Sequence, residues 1–315
     1  MQPAEQLRRV QGRLKRLSLA VAPAQDGERL DRFIAAAGGI SRGLARRTLD
    51  AGGVFLDGKR CKTASRELWA GQQVVVNLEE SGRALDPVAP LGPSRLLFCD
   101  PDIAVVDKPA GVPAQPTLTS DQGTLPELVG VLLGAPVTLV HRLDRETSGV
   151  TIFARTKAAA AVLAEAFRVG TPEKTYLALT FGAPKPADGR IDAPLGPDPV
   201  RQGRRAVIAS GDPAATRYRT VQAGPGVALM EARPETGRTH QIRVHLAHVG
   251  APLLGDPRYG GPRQVGDLWI PRVMLHARRL EIDHPVTRAR LTFEAPVPED
   301  FAGIQQGLLS PEAVS

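Results

Sequence analysis

Asp144 stands in the stretch HRLDRETSG, residues 141–149, between the guanidinium-bearing residues Arg142 and Arg145, with Glu146 two positions further on. Desolvation alone raises a carboxyl pKa, and a nearby guanidinium lowers it by roughly 1–3 units, so an acid among arginines can stay ionised even in a dry pocket. An ionised acid in such a pocket can serve as a base or as a nucleophile. The apolar runs Val137–Val140 and Val150–Ala154 flank the stretch and place it on a loop between strands. Taken alone, the pattern also describes a solvated turn whose charges neutralise one another.

Other segments carry residues of the same kind. VDKPAGVPAQPT (106–117) is a loop stiffened by Pro and Gly that follows a strand, with Lys108 able to meet phosphate. EKTYLAL (173–179) sets Lys174 and Tyr176 on one face of a predicted strand. PETGRTHQIRVHLAHVG (234–250) leads Gly237 and Arg238 into the start of a helix, with Arg243 one turn in. MLHARRLEIDHP (274–285) closes the set. Asp144 and Glu146 could form the carboxylate pair of a glycosidase, which needs two acids about 5–10 Å apart. His240, His245 and His248 share a helix, but their spacings of five and three differ from the i, i+4 pair of helical zinc sites, and no acid follows.

These residues need a scaffold of strands. Strands are predicted over 96–99, 103–106, 149–154, 174–180, 214–221, 227–232 and 278–282. Helices are predicted over Lys157–Phe167, capped by Thr156, and over His240–Val249, started by Thr239 and ended by Gly250. Many strands with few helices imply an α+β domain on a mixed, mostly antiparallel sheet flanked by helices and loops, spanning 95–300. Ahead of it, 27–80 reads as a small α/β module. Leu30, Phe33, Ile34 and Ala37 make one short helix that stops at Gly38-Gly39. Ser41 caps a second helix, and Asp57-Gly58 turns a hairpin. Arg42 and Arg46 lie four residues apart near that second helix's positive end and, with Lys59 and Arg60 on the hairpin, could grip a phosphate backbone. Residues 1–26 read as a basic extension, 81–94 as a linker and 301–315 as a tail.

The whole chain has 315 residues, a net charge of +7 and 42% hydrophobic residues, enough for a real core and suited to a polyanionic partner. Its two cysteines, Cys61 and Cys99, allow no disulfide framework and no CxxC metal site, as expected in a reducing compartment. No run has the length of a membrane span, and the basic stretch 7–17 lacks the apolar core of a secretory signal, so a cytoplasmic protein without a membrane partner is expected.

In this order, HRLDRETSG, EKTYLAL and GRTHQIRVHL resemble the RluA-type pseudouridine synthases over about residues 95–290, and HRLDRETSG carries that family's HRLDxxTSG signature in full. RLDRFIAAAGGISRGLARRTLDAGGVFLDGKR is similar to the alpha-L RNA-binding module first described in a small-subunit ribosomal protein. The resemblance implies an enzyme that detaches uracil from ribose at N1, rotates it and reattaches it through C5, with no cofactor and no metal. It implies that Asp144 is the essential carboxylate, as nucleophile or as base on a sugar proton, that Arg243 is its partner and that Tyr176 stacks on the base. Arg142 and Arg145 are then RNA or scaffold contacts, and Lys108, Lys174, Arg238 and His240 join them as candidate substrate contacts. The implied partner is RNA, with large-subunit ribosomal RNA first and transfer RNA second, and a monomer is the expectation. A protein that binds RNA on the same fold without modifying it is the alternative, against which the intact Asp144, Tyr176 and Arg243 argue. The chain departs from the family at Gln115, where many relatives have His, and from the module at Gly43, which should loosen its helix slightly.

Overall fold

The computed structural model describes residues 14–79, 89–118 and 120–310. The described residues divide into two compact units, one holding those up to Pro90 together with those of Gln115–Leu128, the other holding Leu91–Ala114 and those from Val129 onward.

In the first unit, α1 (Leu30–Gly38) buries Leu30, Phe33 and Ile34 and ends where Gly39 turns left-handed. In α2 (Arg42–Ala51) the Ser41 hydroxyl accepts from the Leu44 amide at 3.2 Å, and Ala45 and Leu49 face inward. Strands β1 (Leu14–Ala20), β2 (Val54–Leu56), β3 (Lys59–Arg60) and β4 (Gln73–Glu79) form an antiparallel sheet in the order β1-β4-β2-β3. The structure corrects the reading of 1–26 as an extension, because Leu14–Ala20 pairs with β4 along its whole length. Leu17 and Leu19 alternate with exposed residues, a two-residue period hidden among basic side chains. Residues 1–13, most of the expected linker (80–88) and the last five residues of the expected tail lie outside the described residues.

The second unit is built on strands β5 (Leu96–Cys99), β6 (Ile103–Lys108), β7 (Thr138–Leu139), β8 (Ser148–Ala154), β9 (Glu173–Phe181), β10 (Asp188–Asp192), β11 (Leu195–Pro197), β12 (Arg205–Val207), β13 (Ala215–Gly224), β14 (Val227–Pro234), β15 (Gln264–Val265), β16 (Leu268–Trp269), β17 (Leu275–Asp283) and β18 (Arg290–Glu294). Ten of them form one sheet in the order β10-β13-β14-β9-β17-β8-β6-β5, with β18 added to β17 and β7 to β8. Every pairing in it is antiparallel except β17 with β8, so the sheet is mixed and mostly antiparallel. Every residue of β6 and of β8 is buried, as suits central strands written as continuous apolar runs. The parallel pairing depends on Gly149: its φ is +115°, and a Cβ there would lie 2.1 Å from the Ala277 carbonyl oxygen.

The helices are α3 (Leu125–Leu133), α4 (Lys157–Val169), α5 (Gln241–His248) and α6 (Glu299–Leu309). Helix α5 lies over Ala178, Ala228 and Ala232, packing Ile242 and Leu246 against a sheet face of small residues. Its cap is His240, in the left-handed conformation at φ 58°, rather than Thr239. Residues 301–310 are likewise no tail, since α6 buries Phe301, Ile304 and Leu309 against Leu254, Ile270 and Met274. No helix among the described residues is long and apolar enough to cross a membrane.

Candidate active site

The loop joining β7 to β8 is held from behind before it presents any charge. The His141 ring stacks on Phe167 with centroids 4.3 Å apart, and its Nε2 accepts from the Ile152 amide at 3.1 Å. Burial, with the charge of Lys174 adding to it, lowers the His141 pKa to about 3, so the ring is neutral. Lys108 was expected to meet phosphate, and the structure corrects this: its side chain is fully buried. Its ammonium donates to the carbonyls of Pro109 (3.1 Å), Arg145 (3.0 Å) and Thr147 (2.7 Å). Burial first, then the charge of Arg272, pushes its pKa down to about 7, with Asp144 opposing. A lysine at the end of a central strand finds carbonyls nearer than solvent, and these satisfy its three donors.

The loop so fixed places Asp144 beside Arg243 of α5, whose Nη1 donates to Oδ2 at 3.0 Å. The other edge of that guanidinium grips Asp256 in bidentate fashion, Nε to Oδ2 at 2.7 Å and Nη2 to Oδ1 at 2.9 Å. Burial opposes the charge on Arg243, but the hydrogen bonds and charges of Asp256 and Asp144 outweigh it and raise its pKa. The Arg243 guanidinium also lies 5.2 Å from the centroid of the Tyr259 ring, whose hydroxyl is 2.7 Å from His240 Nδ1. His240 Nε2 comes within 3.8 Å of the same Asp144 oxygen. Burial, opposed by the Asp144 charge, lowers the His240 pKa to about 4, so this ring is neutral at physiological pH.

Tyr176 on β9 is buried with its ring on the same cavity, and burial together with the Asp144 charge raises its pKa, keeping the phenol protonated. The cavity has a volume of about 310 Å³, within the range that holds small ligands. It brings together Asp144, Tyr176, Arg243, His240, Arg142, Lys174 and Arg238, seven of the residues singled out in the sequence. Burial lowers the pKa of Lys174. Arg145 is turned away, its Nε donating to the Gly111 carbonyl at 2.9 Å. Glu146, the second acid of the glycosidase reading, does not line the cavity; its Oε2 accepts from the Val273 amide at 3.4 Å. His245 has no ring nitrogen left for a metal, bonding to Thr216 Oγ1 at 2.9 Å and the Ala193 carbonyl at 3.0 Å.

In the first unit the basic residues are partly engaged. Arg29, Arg42 and Arg46 converge on the fully buried carboxylate of Asp31 at 3.2, 2.9 and 3.0 Å. Three guanidiniums on one carboxylate leave a net charge of about +2, and the Arg42 and Arg46 side chains remain 43% and 51% exposed. Lys59 is exposed. Arg60, expected on RNA, is corrected to a scaffold residue: it donates to the carbonyls of Gly52 and Thr117 and stacks on Phe55. Its position at the end of the short hairpin's second strand puts loop carbonyls within its reach.

No motif in the sequence singles out Asp256 or Tyr259. Their only signal is the turn-rich stretch LLGDPRYGG (253–261), in which an acid and a phenol sit among glycines. Gly255 has φ +75°, and a Cβ there would lie 1.8 Å from the Arg272 carbonyl oxygen, so this tight passage demands glycine.

The cavity presents one carboxylate, paired to a guanidinium beside a buried tyrosine, and so lacks the second acid of a two-acid hydrolase. Residues 102–248 match the RNA pseudouridylate synthase family, and residues 28–74 match the S4 domain. The chain is 36% identical over 258 residues, 78% of its length and 74% of the relative's, to the ribosomal large subunit pseudouridine synthase D of Nitrosomonas europaea. It is 39% identical over 291 residues, 90% of each chain, to an uncharacterized RNA pseudouridine synthase of Chloroflexus aurantiacus. The solved structure of human RNA pseudouridylate synthase domain containing 4 superposes with a TM-score of 0.57 at 28% identity, covering 68% of this chain and 92% of the human one. The chain belongs to the RluA-type RNA pseudouridine synthases, isomerases acting on RNA, and carries an S4 module ahead of the catalytic fold.

Proposed function

We propose that this enzyme isomerises uridines of large-subunit ribosomal RNA, with Asp144 as its single catalytic carboxylate. The observation that carries the reading is the 3.0 Å pair between Asp144 and Arg243 on the cavity that Tyr176 also lines. The guanidinium sets a positive charge and a hydrogen-bond donor against one oxygen of that carboxylate. Arg243 and His240 both approach Oδ2, an arrangement that favours Oδ1 as the reacting oxygen. The reaction breaks N1–C1′ and forms C5–C1′; C5 loses its proton and N1 gains one, so atoms balance without a co-substrate. Asp144 takes part as nucleophile on the ribose or as base on a sugar proton, and either role requires its ionised form. The target base must leave its stack, which costs about a few kcal/mol, and stacking on Tyr176 with backbone contacts from Lys174, Arg142 and Arg238 offsets that cost.

The name of the Nitrosomonas relative favours a ribosomal target. Site-by-site pseudouridine mapping in a strain lacking the gene tests the target directly. The expected result is one or more large-subunit uridines left unmodified, restored by the wild-type gene and not by one encoding Asp144→Asn. Loss confined to transfer RNA would overturn the ribosomal assignment.

The module's part in binding is read from the salt dependence of affinity. If Arg42 and Arg46 grip phosphates, replacing both with alanine should flatten the log–log slope by about 0.7–0.9 for each phosphate no longer neutralised. Identical slopes, with folding verified by circular dichroism, would make the Asp31 cluster scaffold alone.

A further inference from the structure

Three consecutive carbonyls that follow Asp144 are held by two buried cations from opposite ends of the unit's sequence. Lys108 takes those of Arg145 and Thr147. The one between them, of Glu146, accepts from Arg272 Nη1 at 3.2 Å. Arg272 precedes β17 and is 4% exposed. The same Nη1 serves the carbonyls of Val273 (3.0 Å) and Leu275 (3.3 Å), while Nη2 reaches Ser148 Oγ at 3.4 Å. Its other edge is closed by Asp300, in the first turn of α6, with Nε at 2.6 Å and Nη2 at 2.9 Å from the two carboxylate oxygens. Asp300 is the only acid that Arg272 pairs with among the described residues.

Anchoring α6 does not require this ion pair. Phe301, Ile304 and Leu309 already bury the helix against an apolar cluster, and taking two charges out of water opposes folding unless their geometry returns the cost. One donor of the oriented guanidinium reaches the loop that carries Asp144, at the Glu146 carbonyl, and another reaches Ser148 at the start of the strand that follows it. We propose that Asp300 and Arg272 are positioning residues for catalysis: the C-terminal helix fixes the backbone under Asp144 so that its carboxylate meets Arg243. The proposal rests on the reading of Asp144 as the catalytic acid. It assigns a role in the reaction to residues beyond the 102–248 span that matches the family.

The test uses the full-length enzyme with Asp300→Asn, which keeps the shape and removes the counter-charge, and with Phe301→Ala, which loosens α6 without touching the pair. Single-turnover rate at saturating RNA, RNA affinity and thermal midpoint are measured for each, with rates taken well below the midpoint. For Asp300→Asn the expected result is a rate about 10- to 100-fold down, in line with the cost of a misplaced catalytic group, with affinity unchanged. For Phe301→Ala the midpoint falls and the rate holds. Asp300→Glu keeps the charge and should recover part of the rate; it also serves as the readable variant if Asp300→Asn does not fold. A wild-type rate in the folded Asp300 variants, or equal rate losses in Asp300→Asn and Phe301→Ala, would overturn the proposal. An active Asp144→Asn would instead remove the reading beneath it, so the two failures are distinguishable.

Discussion

Asp144→Asn is expected to bind RNA as the wild type does and to lose at least about two to four orders of magnitude in rate, the range a positioned acid–base group contributes. The amide matches the carboxylate in size, and its oxygen can still accept from Arg243 Nη1, now 3.0 Å from Oδ2. Arg243 also keeps its bidentate acid, Asp256, so the substitution strands no buried charge. The thermal midpoint should therefore stay close to that of the wild type. What is lost is the negative charge, which both the nucleophilic and the basic role require. Release of tritium from RNA labelled at uridine C5 reports the reaction directly, because that hydrogen leaves when the new bond forms. Turnover within tenfold of wild type would end the assignment.

The site was legible in the sequence to the extent that its residues sit in dense local strings. Asp144, Tyr176 and Arg243 each lie in a motif, and the cavity joins all three. The central strands were legible for a similar reason: Ile103–Val106 and Val150–Ala154 are apolar runs too short for helices and bounded by turns. What spacing does not encode is where a long cation ends up. Lys108 and Arg60 read as surface charges, yet each is within reach of carbonyls on a neighbouring segment, and burying a cation is tolerable when such partners are present. Asp256 was invisible for the converse reason. It lies 13 residues beyond Arg243 in a loop with no periodicity, and only the fold brings it to the guanidinium's free edge. The α6 helix was lost to a composition of Gly, Gln and Ala, although Phe301 and Ile304 stand three residues apart on its buried side.

Arg243→Met should be the most damaging single change, because two acids depend on that guanidinium. Asp256 is only 1% exposed and would be left buried without a counter-charge; Asp144, at 19%, would face it across the gap. Breaking a buried pair by removing one partner costs about 3–5 kcal/mol, and activity should vanish with the cation that Asp144 is paired to. Arg142→Ala, on the exposed rim, should cost far less stability than Arg243→Met and mainly weaken RNA binding. Stability and catalysis at this guanidinium can be separated by removing the second acid as well. In Arg243→Met/Asp256→Leu, two apolar side chains replace a buried ion pair, an exchange often neutral or stabilising. The double variant should regain most of the stability lost by Arg243→Met in urea unfolding. Its single-turnover rate should stay as low as that of the single variant, because Asp144 still lacks the cation that stood 3.0 Å away. Recovery of rate along with stability would show that Arg243 serves the fold and that Asp144 needs no guanidinium. Recovery of stability alone assigns the Asp256 edge of the guanidinium to holding it in place and the Asp144 edge to the reaction.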